Sequence, residues 1–373
     1  MAKKPKSLFV VAGEVSGDLL AARVVRVLKG RMPRLKVFGF GGSALAAAGA
    51  DVREDLTKQG IIGFVEVVKH LPDILRRFSL CDRWLEEERP DAVLLVDYPG
   101  FNLRVAGKAR RLGIPVCYYV APQLWAWHAS RIRRMKRDVT RLMVLYPFEE
   151  GWFRKRGMDA VYVGHPLAAR VPRGRPAPMG RSPRICVMPG SRRSELARLW
   201  PVMLEASRLL RKTYPEARFV VPRPPTLSAE AFPGLTPEDP FRFMPSDDYR
   251  TRGTCHFAWV KSGTGTLETA LLGTPMILVY KLAPLSYRIA RAVATVKHVG
   301  LVNILSEVPV VPELLQHEAT PERLAGETLA ILGSKERLGE QARQFAVIRS
   351  RLSKPKDPAG AAAKVVEGVL RKV

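Results

Sequence analysis

Asp97 is the residue best placed to move a proton. It closes the apolar run Ala92–Val96 within Leu95-Val96-Asp97-Tyr98-Pro99-Gly100-Phe101-Asn102. A continuous apolar run bounded by Pro90-Asp91 and Asp97 reads as a strand buried on both faces, so the carboxylate emerges where strand gives way to loop. A partly desolvated Asp has a raised pKa and can serve as a general base. The same residues also fit an Asp that caps the turn Asp-x-Pro-Gly. A second acidic constellation, Ala12-Gly13-Glu14-Val15-Ser16-Gly17-Asp18, follows another apolar stretch. Its glycines let a ligand approach the backbone and a helix N-terminus follows, but it has neither the GxGxxG pattern nor the Lys of a P-loop. Glu14 would repel a close phosphate, so a hydroxyl-rich or amine-bearing guest suits the loop better. The alternative is a plain strand–helix turn with Asp18 as a favourable first-turn acid.

Two further motifs suit a diphosphate. Met188-Pro189-Gly190-Ser191-Arg192-Arg193-Ser194-Glu195 follows an apolar run and opens a helix, offering backbone N–H groups and an Arg fork. A turn with solvated arginines is the other reading. Lys261-Ser262-Gly263-Thr264-Gly265-Thr266-Leu267-Glu268 is again small and hydroxyl-rich before a helix. With Thr264 as N-cap and Leu267, Ala270 and Leu271 as the packing stripe, Glu268 lies off that stripe. There it could accept hydrogen bonds from both hydroxyls of a ribose, or simply complement the helix dipole. A fifth segment, Gln123-Leu124-Trp125-Ala126-Trp127-His128, runs into a helix bearing Arg131, Arg133, Arg134, Lys136 and Arg137. Trp beside a basic helix is an interfacial pattern, which makes Trp125, Trp127, Arg131 and Arg134 candidates for membrane contact. The greasy stretch Gly60–Leu80 is another; for both, burial in the core is the competing reading.

The elements that must position these groups alternate strand and helix. Strands are predicted at Ser7–Ala12, Lys36–Phe40, Ala92–Val96, Pro115–Val120, Arg141–Leu145 and Ala160–Val163, with helices at Asp18–Lys29 and Leu103–Leu112. Arg170–Pro183 is rich in Pro, Gly and Arg and reads as a linker. The alternation restarts with strands Arg184–Met188, Ala217–Val221, His256–Val260 and Pro275–Tyr280 and helices Glu195–Lys212 and Gly265–Leu272. This predicts two α/β domains with parallel sheets, and ligands at the carboxyl ends of their strands. The chain's 373 residues fit two domains better than one core.

Composition narrows the partners. With 61 Lys+Arg against 35 Asp+Glu the formal charge is +26, which favours something anionic: nucleic acid, an acidic membrane surface or phosphorylated substrates. The basic residues are spread along the chain and interrupted by the motifs above, against the concentrated groove and stacking aromatics of a nucleic-acid binder. No apolar run reaches the roughly 20 residues of a membrane span. The basic start followed by Leu8–Ala12 is too short for a signal peptide, which predicts a cytoplasmic protein. Cys81, Cys117, Cys186 and Cys255 are widely separated and read as buried thiols. Neither the histidines nor Asp247-Asp248 has metal-ligand spacing, so no metal and no cofactor is expected.

Taken together the motifs resemble the lipid-A-disaccharide synthase family. AGEVSGD, GFVEVV, DYPGFN, YYVAPQLWAW, PFE, VGHPL, MPGSR, SGTGTLE, TPMILVYK and LVNIL occur in that family's order and spacing, from residue 12 to about residue 316. The resemblance implies a GT-B glycosyltransferase: two Rossmann-like domains facing each other, the first (1–169) taking the acceptor and the second (184–345) the UDP-sugar. A segment 346–373 would pack back on the first domain. It implies metal-free inverting transfer of 2,3-diacylglucosamine from UDP to 2,3-diacylglucosamine 1-phosphate, forming a β-1,6 bond at the cytoplasmic surface of the inner membrane, with no nucleic acid involved. By the same resemblance Asp97 is the base and Glu14, Ser16 and Asp18 form the acceptor-side loop. Gly190, Ser191, Arg192, Ser262, Gly263, Thr264, Glu268 and Asn303 bind the UDP-sugar. Gly100 stands where some relatives carry a second Asp, and Thr251–Val260 departs from the usual Ala-rich run. Transfer to another lipid-linked sugar and epimerisation of a UDP-sugar are the neighbouring activities.

Overall fold

The computed structural model describes residues 5–57, 71–126, 131–176, 178–284, 287, 288, 291, 296 and 298–373. The chain divides into two compact units, Met1–Pro166 with Lys354–Val373, and Leu167–Ser353.

In the first unit the strands are β1 (Ser7–Ala12), β2 (Lys36–Gly41), β3 (Asp51–Asp55), β4 (Ala92–Val96), β5 (Val116–Tyr119), β6 (Arg141–Val144) and β7 (Ala160–Tyr162). Among the described residues they form one parallel sheet in the order β3-β2-β1-β4-β5-β6-β7. Helices α1 (Val15–Arg31), α2 (Ser43–Ala47), α3 (Leu71–Glu88), α4 (Pro99–Arg111), α5 (Ile132–Asp138) and α6 (Pro147–Arg154) connect them. Strand alternation explains the two cores. Phe9, Val11, Val93 and Leu95 face one cluster with Trp84 and Phe101, while Leu8, Val10, Leu94 and Val96 face another with Val24, Val25 and Leu28. That second cluster also holds Ala362, Ala363, Val366 and Leu370, one stripe at helical spacing.

The second unit begins with α7 (Pro166–Arg170), whose first residue still belongs to the first unit. It continues through β8 (Arg184–Met188), α8 (Arg193–Thr213), β9 (Arg218–Arg223), β10 (Phe241–Pro245), α9 (Tyr249–Arg252), β11 (Phe257–Lys261), α10 (Thr264–Leu272), β12 (Met276–Tyr280), α11 (Leu301–Leu305) and β13 (Glu313–Leu315). Helices α12 (Pro321–Leu332) and α13 (Lys335–Leu352) close it, and α14 (Pro358–Leu370) carries the stripe that returns to the first unit's core. The sheet runs β10-β9-β8-β11-β12-β13, again all parallel. The Thr251–Val260 segment packs by its own means: the Trp259 indole N–H donates to Thr328 Oγ1 at 2.8 Å, so a large buried ring keeps its polar atom satisfied.

In both sheets the chain order reverses between two neighbouring strands, β1 with β4 and β8 with β11. Ala12 pairs with Val96 and Met188 with Val260 at the carboxyl ends of those strands. A crevice opens at such a reversal, and the sequence motifs sit on its two lips in each unit.

Candidate functional site

In the first unit the reversal brings Gly13 beside Asp97. Asp97 and Tyr98 are consecutive left-handed residues, with φ of 49° and 45°. Each such non-glycine conformation costs on the order of 1–2 kcal/mol. The Asp97 carbonyl is held there by two donors, the Asn102 side-chain amide at 2.8 Å and the Tyr118 hydroxyl at 2.6 Å. The Tyr98 ring then lies across Gly13, where an added Cβ would come within 2.3 Å of a ring carbon. Burial foremost, and the charge of Glu14 second, push the Asp97 carboxyl up to about 6, against the Tyr98 backbone N–H it accepts from. Among the described residues no cation pairs with it. Backbone strain over-determined by its surroundings is characteristic of functional positions. Here it turns a carboxylate out of a fully buried strand without giving it a counter-charge.

Around the loop, Glu14 and Ser16 are exposed, but Asp18 is buried. Its oxygens accept from the backbone N–H groups of Gly42 (2.8 Å), Ala44 (3.0 Å) and Leu45 (3.1 Å), satisfying the open start of α2. Asp18 was read as an acceptor-loop residue; its place in the structure is that of a clamp between α1 and α2. Asp18→Asn should therefore lower stability by about 1–3 kcal/mol, because an amide cannot accept all three bonds, while the turnover of the folded fraction stays unchanged. Denaturant melts beside activity measurements check this; unchanged stability with lost turnover would return Asp18 to the chemistry.

In the second unit a cavity of about 400 Å³ occupies the reversal between β8 and β11. Gly190, Ser191, Arg192, Ser262, Gly263, Thr264 and Glu268 all line it, so seven of the eight expected nucleotide-side residues converge. Arg192 caps α8 and Gly263 caps α10, one residue before the Thr264 predicted for that role. Both helix N-termini contribute partial positive charge. Gly190 has φ 129°, and a Cβ there would meet the Glu195 carboxylate at 2.6 Å. That carboxylate organises the cations: it accepts from the Ser191 N–H at 3.1 Å, pairs with Lys261 at 2.9 Å and lies 3.6 Å from Arg192. Burial opposes its ionisation, yet these partners, Lys261 first, hold Glu195 below the usual carboxylate range. Glu268 is held by the Tyr249 hydroxyl and the Arg252 guanidinium, each at 2.8 Å.

Lys261 and Glu195 lie within the motifs but were given no role, and Tyr249, Arg252 and Arg170 lie outside them. Lys261 had a signal, being the last residue of a buried strand before the Ser-Gly-Thr run. Tyr249 and Arg252 had none, because they lie in or beside the Thr251–Val260 segment, which departs from the usual Ala-rich run and carries no motif. Among the described residues no group of three or more His, Cys, Asp or Glu is arranged to hold a metal ion.

Comparison with known proteins identifies the relatives of this arrangement. The sequence profile described as Lipid-A-disaccharide synthetase matches residues 8–362. The chain belongs to the lipid-A-disaccharide synthase family. It is 42% identical to the lipid-A-disaccharide synthase of Anaeromyxobacter dehalogenans (strain 2CP-C), with 98% of this chain and 97% of that one covered. It is 38% identical to that of Myxococcus xanthus, with the same coverage. As a member of this family it is a glycosyltransferase. Its fold is also that of a calicheamicin glycosyltransferase (TM-score 0.62, 15% identity, all of both chains) and of a UDP-N-acetylglucosamine 2-epimerase from Listeria monocytogenes (TM-score 0.60, 13% identity, 98% and 96% covered).

Two expectations for this synthase-family chain are corrected by its geometry. Asn303 does not line the cavity; its amide donates to the Val311 carbonyl and the Glu313 carboxylate, both at 2.8 Å, and its oxygen accepts from the N–H groups of Val310 and Val311. Two donors and two lone pairs are thereby used, so Asn303 fastens α11 to the start of β13 and has nothing left for a nucleotide. Trp125 is buried, and its indole N–H donates at 2.8 Å to Glu149, a carboxylate that burial pushes up to about 7. It is a core residue rather than a membrane contact. Trp127 lies outside the described residues, as does most of the Gly60–Leu80 stretch. Arg131 and Arg134 are exposed, and so are Leu71 and Leu75 of α3 and Val15 and Leu19 of α1.

Proposed function

We propose that the chain transfers 2,3-diacylglucosamine from UDP to 2,3-diacylglucosamine 1-phosphate with inversion, forming the β-1,6 disaccharide of lipid A. Asp97 takes the proton of the acceptor hydroxyl as that oxygen bonds to the anomeric carbon and the C–O bond to UDP breaks, leaving UDP with the electron pair. Arg192, Lys261 and the N-termini of α8 and α10 stabilise the charge that develops on the departing diphosphate, and Glu268 accepts hydrogen bonds from the ribose. Glu14 and Ser16 present the acceptor.

The observation that carries this reading is Asp97 itself: a carboxylate turned out of a buried strand at the reversal of the sheet, without a counter-charge among the described residues and poised near 6, where a base is both ionised and effective at neutral pH. No described helix is long and apolar enough to cross a membrane. The exposed Leu71, Leu75, Val15 and Leu19 together with Arg131 and Arg134 suit peripheral contact with the anionic cytoplasmic surface of the inner membrane, where acylated substrates lie. Incubation with both lipid substrates should yield disaccharide and UDP in equal amounts. Release of UDP without disaccharide, or conversion of the donor into an epimer, would overturn the assignment.

A further inference from the structure

Arg252 is an unusual residue to find beneath a nucleotide-sized cavity. Its side chain is 1% exposed. One nitrogen, Nη1, donates to Glu268 Oε2 at 2.8 Å and to the Ser246 carbonyl at 3.0 Å, Nη2 lies 3.6 Å from Met188 Sδ, and among the described residues Nε has no hydrogen-bond partner. Tyr249 completes the arrangement from the other side. Its hydroxyl donates to Glu268 Oε1 at 2.8 Å and accepts from Arg170 Nη2 at 2.7 Å. Burial first, and the Glu268 charge second, hold the Tyr249 phenol above its ordinary range, so it stays a donor.

A buried ion pair is a poor device for stability alone, since well-packed apolar residues of similar volume usually do as well or better. What an apolar residue could not do is fix a charged carboxylate in one orientation at a cavity wall. Glu268 is 15% exposed, on the cavity side. Among the described residues each of its oxygens takes one hydrogen-bond donor, Tyr249 on Oε1, with Arg170 Nη2 a further ion-pair neighbour at 3.7 Å, and Arg252 on Oε2, which leaves acceptor capacity on each for a ligand. An acceptor pair of this kind matches a vicinal diol.

We infer that Arg252 and Tyr249 are positioning residues that lock the Glu268 carboxylate against a ribose diol, and that this lock sets selectivity for ribose over 2′-deoxyribose in the bound nucleotide. The inference rests on Glu268 being the ribose ligand. Locking matters because a free carboxylate rotates to follow whichever hydroxyl remains. A locked one is left with an unpaired, desolvated lone pair when the 2′-hydroxyl is missing. Sites built around a hydroxyl reject the analogue lacking it for that reason.

The test is calorimetric titration of UDP and 2′-deoxy-UDP into the full chain and three variants, with a thermal melt of each. The parent should prefer UDP by about 10- to 100-fold, the range of one hydrogen bond to a charged group. In Arg252→Met that preference should fall below about threefold, chiefly through loss of UDP affinity, with Arg252→Lys restoring part of it. Tyr249→Phe removes one oxygen without disturbing the packing, and it decides the question should Arg252→Met not fold; its preference should drop at least about threefold. A merely structural role would weaken both nucleotides equally and leave their ratio intact, and a folded variant with the parental ratio overturns the inference. A parent that fails to distinguish the two nucleotides instead overturns the assignment of Glu268 to the ribose.

Discussion

Asp97→Asn should leave a folded protein with unchanged UDP affinity that transfers sugar about 10²- to 10⁴-fold more slowly, the range associated with loss of a general base. The substitution keeps the side chain's shape and removes only its capacity to take a proton. Because the parent carboxyl is held at about 6, its rate should rise about tenfold per pH unit below that value and level off above it. Glu14→Gln removes the like charge that is the second cause of the shift, so the inflection should move to lower pH without disappearing. Stability should move in the opposite sense to activity. Asp97 has a folded pKa above its unfolded value, so the folded state binds the proton more tightly and stability falls as pH rises toward about 6. Above that pH a partly buried charge with no cation beside it among the described residues remains, and Asp97→Asn should melt higher than the parent at pH 8 but not at pH 4. Rate profiles and melts on the same two preparations check both halves. Equal turnover, or a slow variant that has also lost UDP binding, would remove Asp97 from the role of base.

The strands that end at the candidate site were legible because they are buried on both faces. β1, β4 and β8 are apolar but for Ser7 and Arg184 at their starts and are closed by polar loops, and their bounds agree with the sequence reading. The strands that were missed, β3, β10 and β13, lie at sheet edges. Edge strands are short and carry charge, as in Asp-Val-Arg-Glu-Asp, because that discourages pairing with other chains, and the same property erases the apolar signature. The position of Asp97 at a strand end could be read locally, but its pairing with Gly13 through Tyr98 could not, since it depends on which strands become neighbours. Arg252 shows the converse failure. Nothing in the sequence around it marks Arg252 as buried, and in the fold Glu268, on the next helix, pairs with it. The partners of Asp18, Trp125 and Asn303 were illegible for the same reason: each polar group finds them across a tertiary contact with Gly42, Glu149 or Glu313, which no local pattern announces. Local pattern therefore finds which loops border the candidate site, whereas the partners that mark framework groups come from the fold.

Lys261→Met should weaken UDP binding about 10- to 100-fold, the loss expected when a charge-assisted hydrogen bond is removed, while uridine binds as before. The argument lies in the local charge. Arg192 and Lys261 supply two positive charges and Glu195 one negative, so this cluster presents a net +1 to the diphosphate. Lys261→Met cancels that net charge and also frees Glu195 from its 2.9 Å partner, turning an organising acid into a repelling one. Arg192→Ala gives the same formal sum, but Arg192 is 57% exposed and only 3.6 Å from Glu195, so less is lost with it in salt. The double variant Lys261→Met, Glu195→Gln returns the cluster to +1 and should recover part of the lost affinity, although one cation is still missing. That recovery is what distinguishes charge placement from simple loss of a contact: a contact explanation predicts that the double variant binds no better than the single one. Titrating UDP against all four variants, parent included, at two salt concentrations decides between them, and UDP affinity unchanged in Lys261→Met would mean that the diphosphate sits elsewhere.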